Sequence, residues 1–215
     1  MDFLKLGPET LLQVRIVAVD LDHHGLAGDG VFLFDRVAAG ERLDRVVPLG
    51  LDPAGVHVEA VAVADRFIDD GVLVSTRGRT ADDNDVFEAF GPGTWQIPLV
   101  LLIDGNSASA SEIVAGCIKD HHRGTIVGRT SYGKWSVQTI ASLNSGIGMR
   151  LTTARFYSPN GQTYSKIGLE PDVVVPLPDD APAERRSSSS AVDPQADPDL
   201  KAALDILCRQ SYTQK

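Results

Sequence analysis

Apolar and polar positions along this 215-residue chain fall into two rhythms. Residues 57–69 (HVEAVAVADRFID) carry Ala60, Val61, Ala64, Phe67 and Ile68 at helical spacing, which predicts a helix packed on a sheet. The β-branched run GVLVSTRG that follows reads as a strand. IPLVLLI, residues 97–103, is apolar at every position and predicts a strand covered on both faces. Ala110, Ile113, Val114, Cys117 and Ile118 then recur at i, i+3, i+4, i+7 and i+8, an amphipathic helix. GTIVG is a further short strand. VQTIASL and GIGMRLTTARFYS flank the turn signal NSG and predict a β-hairpin. Helices alternating with strands define an α/β layered fold.

Four zones emerge. Residues 1–52 are apolar and mixed with weak periodicity. Residues 53–178 hold the alternating elements. Residues 179–197 are rich in Pro, Ser, Ala and charge and predict a disordered linker. Residues 198–215 carry Leu200, Ala203, Leu204 and Leu207 at helical spacing, a C-terminal helix and tail.

Composition narrows the function classes. At 43% hydrophobic the chain can bury a core, and its formal charge of −9 disfavours nucleic acid and anionic membrane as partners. The longest apolar runs are far below a membrane span, so no membrane insertion is expected. The first dozen residues lack the pattern of a signal peptide. Cys117 and Cys208 are expected to be buried free thiols.

GRTSYGKW, residues 128–135, contains G-x-x-x-x-G-K and so invites a phosphate-loop reading. That loop needs Ser or Thr next, to hold magnesium, and a helix to receive the phosphates. Position 135 is Trp and the following SVQTIASL is strand-like, so the reading fails. Lys134 is there for something else.

The stronger feature is DGNSASASEIVAG, residues 104–116, a tight turn between a buried strand and an amphipathic helix. A serine there sits beside the free N–H groups of the helix start, where an oxyanion is stabilised. Serine needs a base, and a lysine serves if burial lowers its pKa. One helix and one short strand separate Ser109 from Lys134, a path that can bring the two together.

Taken together, SASASEIVAG, YGKWSVQT and LTTARFYSPNGQTYSKIGLEPDVVV resemble the carboxy-terminal processing peptidases, the tail-specific S41 serine proteases. The resemblance covers about residues 53–178. It implies a ClpP/crotonase-like α/β spiral core and hydrolysis of peptide bonds by a Ser-Lys dyad, with no cofactor or metal. It matches Ser109 to the nucleophile, Lys134 to the general base and Gln138 to the glutamine that positions the lysine. Ala110 N–H would be one oxyanion donor and Gly55 the other. The implied partners are unfolded or C-terminal peptide segments, laid beside the LTTARFYS strand by strand addition, and the implied location is periplasmic or extracytoplasmic.

The departures are specific. VPLGLDPAG lacks the Asp and Arg that usually precede the paired glycines, the first of which is Ala54 here. Trp135 replaces the glycine that usually follows the lysine, and no PDZ domain is recognisable. A catalytically inactive peptide- or ligand-binding member of the same fold therefore stays open.

Other readings compete at single positions. Ser109 and Glu112 form a Ser-x-x-Glu capping box, so the serine could simply cap the helix. In an extended strand Gln138 would lie ~13 Å from Lys134, whereas a helical turn would bring it to ~6 Å. Trp135 is a packing residue on the plain reading; on sharper ones its ring shields Lys134 from water or blocks the cleft. His57 is a rival base, and His121 and His122 complement a helix C-terminus. Asp20, Asp22, His23 and His24 invite a metal-site reading that no second ligand cluster completes.

Overall fold

The computed structural model describes residues 15–20, 30–34, 56–91, 94–142, 148–176 and 197–213. Two sheets organise these residues. Sheet 1 contains β1 (Arg15–Asp20), β2 (Gly30–Phe34), β5 (Leu99–Ile103), β6 (Thr125–Gly128) and β9 (Val173–Val174), in the order β2-β1-β5-β6-β9. Sheet 2 contains β3 (Val72–Gly78), β4 (Val86–Glu88), β7 (Ser136–Ser142) and β8 (Gly148–Tyr157), in the order β4-β3-β8-β7. The helices are α1 (Val56–Asp65), α2 (Ala110–Asp120) and α3 (Pro198–Thr213).

In sheet 1, β5, β6 and β9 are parallel, and β5 reaches β6 through α2. A helix is the usual way for a chain to return and start a parallel neighbour. β1 is antiparallel to both β5 and β2, so residues 15–20 and 30–34 belong to the same sheet as the central core. Sheet 2 is antiparallel throughout, with β7 and β8 forming the expected hairpin. The turn residues 143–147 and the linker residues 179–196 lie outside the described residues.

β5 is buried at all five positions, as its continuous apolar run requires. Leu99, Leu101 and Ile103 join the cluster formed with α1, α2 and β3. Val100 and Leu102 face the other way and pack with Val127, Leu200, Ala203 and Leu207 under α3. α3 is fastened by Arg129, whose guanidinium donates to Asp199 Oδ1 at 2.8 Å and Oδ2 at 2.6 Å. The bidentate pair raises the arginine's already high pKa. α2 is buried from Ala110 to Ile118, including its only glycine, because it lies within the core rather than on a surface. No helix among the described residues is long and apolar enough to cross a membrane.

One expectation is corrected. Cys117 is buried in α2, but Cys208 is exposed on α3, and both are free. The inward stripe of α3 runs through Leu200, Ala203 and Leu207, and the next position turns out toward solvent.

Candidate active site

Residues 104–109 make the turn from β5 into α2. Asp104 Oδ1 accepts the N–H groups of Asn106 at 2.8 Å and Ser107 at 3.2 Å, and Ser107 Oγ accepts the Asp104 N–H at 3.0 Å. This local lacing delivers Ser109 to the head of α2 with φ 55° and ψ −114°. A non-glycine residue in that region stores roughly 1–3 kcal/mol of strain and persists only where its surroundings impose it. The half-buried Ser109 hydroxyl lies toward the Glu112 N–H in a capping-box arrangement but makes no cap hydrogen bond. In the first turn, Ser111 N–H donates to Ala108 O, and the N–H groups of Glu112 and Ile113 donate to Ser109 O. The Ala110 N–H is thereby left without an acceptor among the described residues.

Glu112 is the residue that assembles the site, and its side chain is fully buried. Oε2 accepts the N–H of Ser109 at 2.9 Å and the N–H of Lys134 at 2.8 Å. Oε1 accepts the Gly133 N–H at 2.6 Å and the Ser131 hydroxyl. A carboxylate can occupy the core because four donors converge on it. The sequence signal for Glu112 was the capping box, which accounts for its bond to Ser109 and is silent about the other three.

The loop carrying Lys134 is clamped from its other side. Ser131 N–H donates to Leu169 O at 3.1 Å, Leu169 N–H to Ser131 Oγ at 2.8 Å, and Lys166 N–H to Gly133 O at 2.8 Å. Gly133 (φ 88°) and Gly168 (φ 76°) permit this approach: a Cβ on Gly133 would stand 2.9 Å from Gly168 N, and one on Gly168 would stand 2.2 Å from Ser131 O. The glycine of the phosphate-loop fragment therefore serves a backbone crossing. Beyond it the chain enters β7, so no helix is present to receive phosphates.

Lys134 and Ser109 are thus brought to one carboxylate oxygen through their main chains, while the Lys134 side chain is exposed. Trp135 is a core residue, 1% exposed, set edge-on to Tyr164 with ring centroids 4.9 Å apart and against Gly116 of α2. It neither covers the lysine nor enters a cleft, which corrects both sharper readings of that indole. Gln138 is half-buried at the third position of β7, paired with Thr152. The pairing shifts by one residue between Val137 and Gln138, a bulge of the kind that re-aims side chains. A helical turn between Lys134 and Gln138 is not formed.

Gly55, the second expected oxyanion donor, lies outside the described residues, as do residues 21–24 of the acidic-histidine cluster. Among the described residues no group of three or more His, Cys, Asp or Glu could hold a metal ion. His121 caps the far end of α2, its N–H donating to Cys117 O and its Nε2 lying 2.7 Å from Val72 O. An eleven-residue helix separates it from Ser109 by roughly 16 Å, out of reach of the hydroxyl. His57 lies in α1.

A layered α/β fold thus holds a serine in a strained strand-to-helix turn beside a lysine-bearing loop. The family model of peptidase family S41 matches residues 52–175, and the chain belongs to that family. Over 137 residues it is 49% identical to a carboxy-terminal-processing protease of Bartonella bacilliformis, covering 62% of this chain and 32% of that protein. It is 32% identical over 162 residues to a carboxyl-terminal-processing protease of Synechocystis sp., covering 75% and 36%. Among solved structures, the photosystem II D1 C-terminal processing protease shares 38% identity with a TM-score of 0.50, over 54% of this chain and 30% of its own. The chain spans about a third of the length of the curated relatives it matches.

Proposed function

We propose that this chain is the core of a serine endopeptidase of the C-terminal processing type, acting through a Ser109-Lys134 dyad. The observation that carries the reading is the strained Ser109 at the head of α2, tied through Glu112 to the main chain of Lys134. In the proposed reaction Ser109 Oγ attacks the scissile carbonyl carbon and passes its proton to neutral Lys134 Nζ. The tetrahedral oxyanion is held by the Ala110 N–H, with Gly55 as second donor. Collapse breaks the C–N bond, the amine leaves with the proton from Lys134, and an ester to Ser109 remains. Water then attacks that ester and gives a proton to Lys134; the bond from the acyl carbon to Ser109 Oγ breaks, Oγ takes that proton back from Lys134, and the acid product departs. Gln138 acts on the orientation of the lysine.

The chemistry needs an uncharged amine on a side chain that is exposed in this structure. The substrate class is an unfolded or C-terminal peptide segment, because an extended strand is recognised mainly through its backbone. The exposure of Lys134 also favours a second reading, a member of the family that binds peptide without cleaving it.

Incubation of the purified chain with an unfolded protein bearing an apolar tail separates the two. Cleavage that disappears in both Ser109→Ala and Lys134→Ala, with circular dichroism unchanged, is the expected result. A folded wild type that leaves the substrate intact while retaining it on a column supports binding alone.

A further inference from the structure

Sheet 2 contains a charge arrangement that the proposed dyad does not use. Arg77 of β3 and Arg155 of β8 are direct register partners, and both are exposed. Facing cations on neighbouring strands repel, and neither arginine has an ion-pair partner among the described residues. Arg77 instead lies over the ring of Tyr157, 4.4 Å from its centroid. The chain's net charge is −9, yet the ion pairs among the described residues, Lys119–Asp172 and Arg129–Asp199, involve neither of these arginines.

The pair stands at the end of an open strand edge. β3 pairs with β8 only from Ser75↔Tyr157 to Gly78↔Ala154. After Gly78 the chain turns through residues 81–83 and returns as β4, on the edge of β3 away from β8. Residues 148–153 of β8 therefore have no strand partner on that side among the described residues, although β7 covers their other side. Met149 and Leu151, 40% and 46% exposed, lie along this open stretch. Arg155 is also close to the proposed dyad. Its partner on β7 is Ser136, and one interstrand step of about 5 Å plus two residues of about 7 Å lead from Arg155 to Lys134.

We propose that Arg77 and Arg155 bind the free α-carboxylate of a peptide that adds as a strand to the open edge of β8. A peptide running parallel to β8 from Gly148 toward Ala154 ends where β3 ends, with its terminal carboxylate between the two guanidinium groups. Each can donate two parallel N–H bonds to a carboxylate, and the anion removes the repulsion between them. The apolar side chains of the tail contact Met149 and Leu151. This deepens the peptidase reading, on which it rests for the class of ligand, by naming the feature that distinguishes a chain end from an internal segment.

The test is fluorescence-anisotropy binding of a labelled, extended apolar peptide to the full chain carrying Ser109→Ala, which prevents turnover. Three peptides are compared: the free acid, the C-terminal amide, and an amide with glutamate at the last position. The expected result is that the acid binds about tenfold more tightly than either amide and loses that advantage as salt rises. Arg77→Gln with Arg155→Gln, checked for folding by circular dichroism, is expected to bring acid and amide to equal affinity while the amide's own affinity changes little. Equal binding of acid and amide, an acid preference that survives the double substitution, or no measurable binding of any peptide overturns the proposal. Equal strengthening by the side-chain carboxylate of the glutamate amide overturns the assignment to a chain end. An acid preference in a chain that cleaves nothing upholds this site and rejects the peptidase reading; cleavage without an acid preference does the reverse.

Discussion

The N–H groups of Ser109 and Lys134 end on the same oxygen of Glu112, at 2.9 and 2.8 Å. The serine belongs to a strand-to-helix turn and the lysine to a loop between strands of different sheets, so this carboxylate is where two independently built segments are registered against each other. Its other oxygen holds Ser131 and Gly133 of the same loop.

Glu112→Gln tests that registration with minimal change in shape. The glutamine amide presents N–H groups to donors that need an acceptor, and the charge that strengthened all four bonds is gone. A loss of about 2–4 kcal/mol in urea unfolding is expected, together with a loss of peptidase activity larger than the fraction unfolded explains. Wild-type stability in this variant would mean that the loop is positioned by residues 164–169 alone.

Ser109→Gly is expected to make the protein more stable and inactive. Glycine adopts φ 55° without the steric penalty that serine carries, so relief of strain is worth about 1 kcal/mol, less the greater freedom glycine gains on unfolding. Ser109→Ala keeps the strain and gives up a hydroxyl that makes no cap hydrogen bond, so it should unfold close to wild type. Thermal melts of the three proteins rank them; a glycine variant less stable than the alanine variant would show that the serine conformation carries no strain.

Trp135 and Gly116 should behave as one packing unit. A Cβ on Gly116 would meet the Trp135 ring at 2.8 Å, so Gly116→Ala overpacks the contact. Trp135→Gly empties it, at a cost of roughly 3–5 kcal/mol, and is expected to lower activity by unfolding the site rather than to open a cleft. Gly116→Ala combined with Trp135→Phe should destabilise less than the sum of its parts in a double-mutant cycle. Additive effects would place the two residues out of contact in solution.

The cysteines should differ sharply in reactivity. Burial, helped by Asp120, pushes the Cys117 thiol well above its ordinary pKa of 9.0, whereas Cys208 is exposed. A thiol reagent should titrate one group in the native protein and two after denaturation. The pH dependence has a definite sign. Folded Cys117 keeps its proton where the unfolded chain has lost it, so its contribution to stability is present below pH 9.0 and declines as pH rises beyond it. Cys117→Ala should flatten that alkaline decline in stability against pH.

What the sequence by itself determined was everything with a local period. The stripe from Ala60 to Ile68 is buried, although α1 ends at Asp65 and a turn brings Phe67 and Ile68 in. The all-apolar β5, the α2 stripe, the β7-β8 hairpin and the inward face of α3 were equally legible, because each repeats over enough residues to outweigh chance. The serine turn and the Gly-Lys loop were legible as letters. Only the tertiary structure decided what those letters do. β9 is two residues long and exists through its bonds to β6, and β4 is three residues long beside β3; neither is long enough to show a period. Trp135 follows an exposed lysine and is nonetheless among the most buried residues, because Gly116, far off in sequence, leaves the space for its ring. Glu112 looked like half of a cap, and its three remaining bonds reach a loop that arrives only after the chain has gone along α2 and back along β6. Local propensity acts through neighbours in the chain, whereas the donors that satisfy a buried carboxylate are chosen by packing.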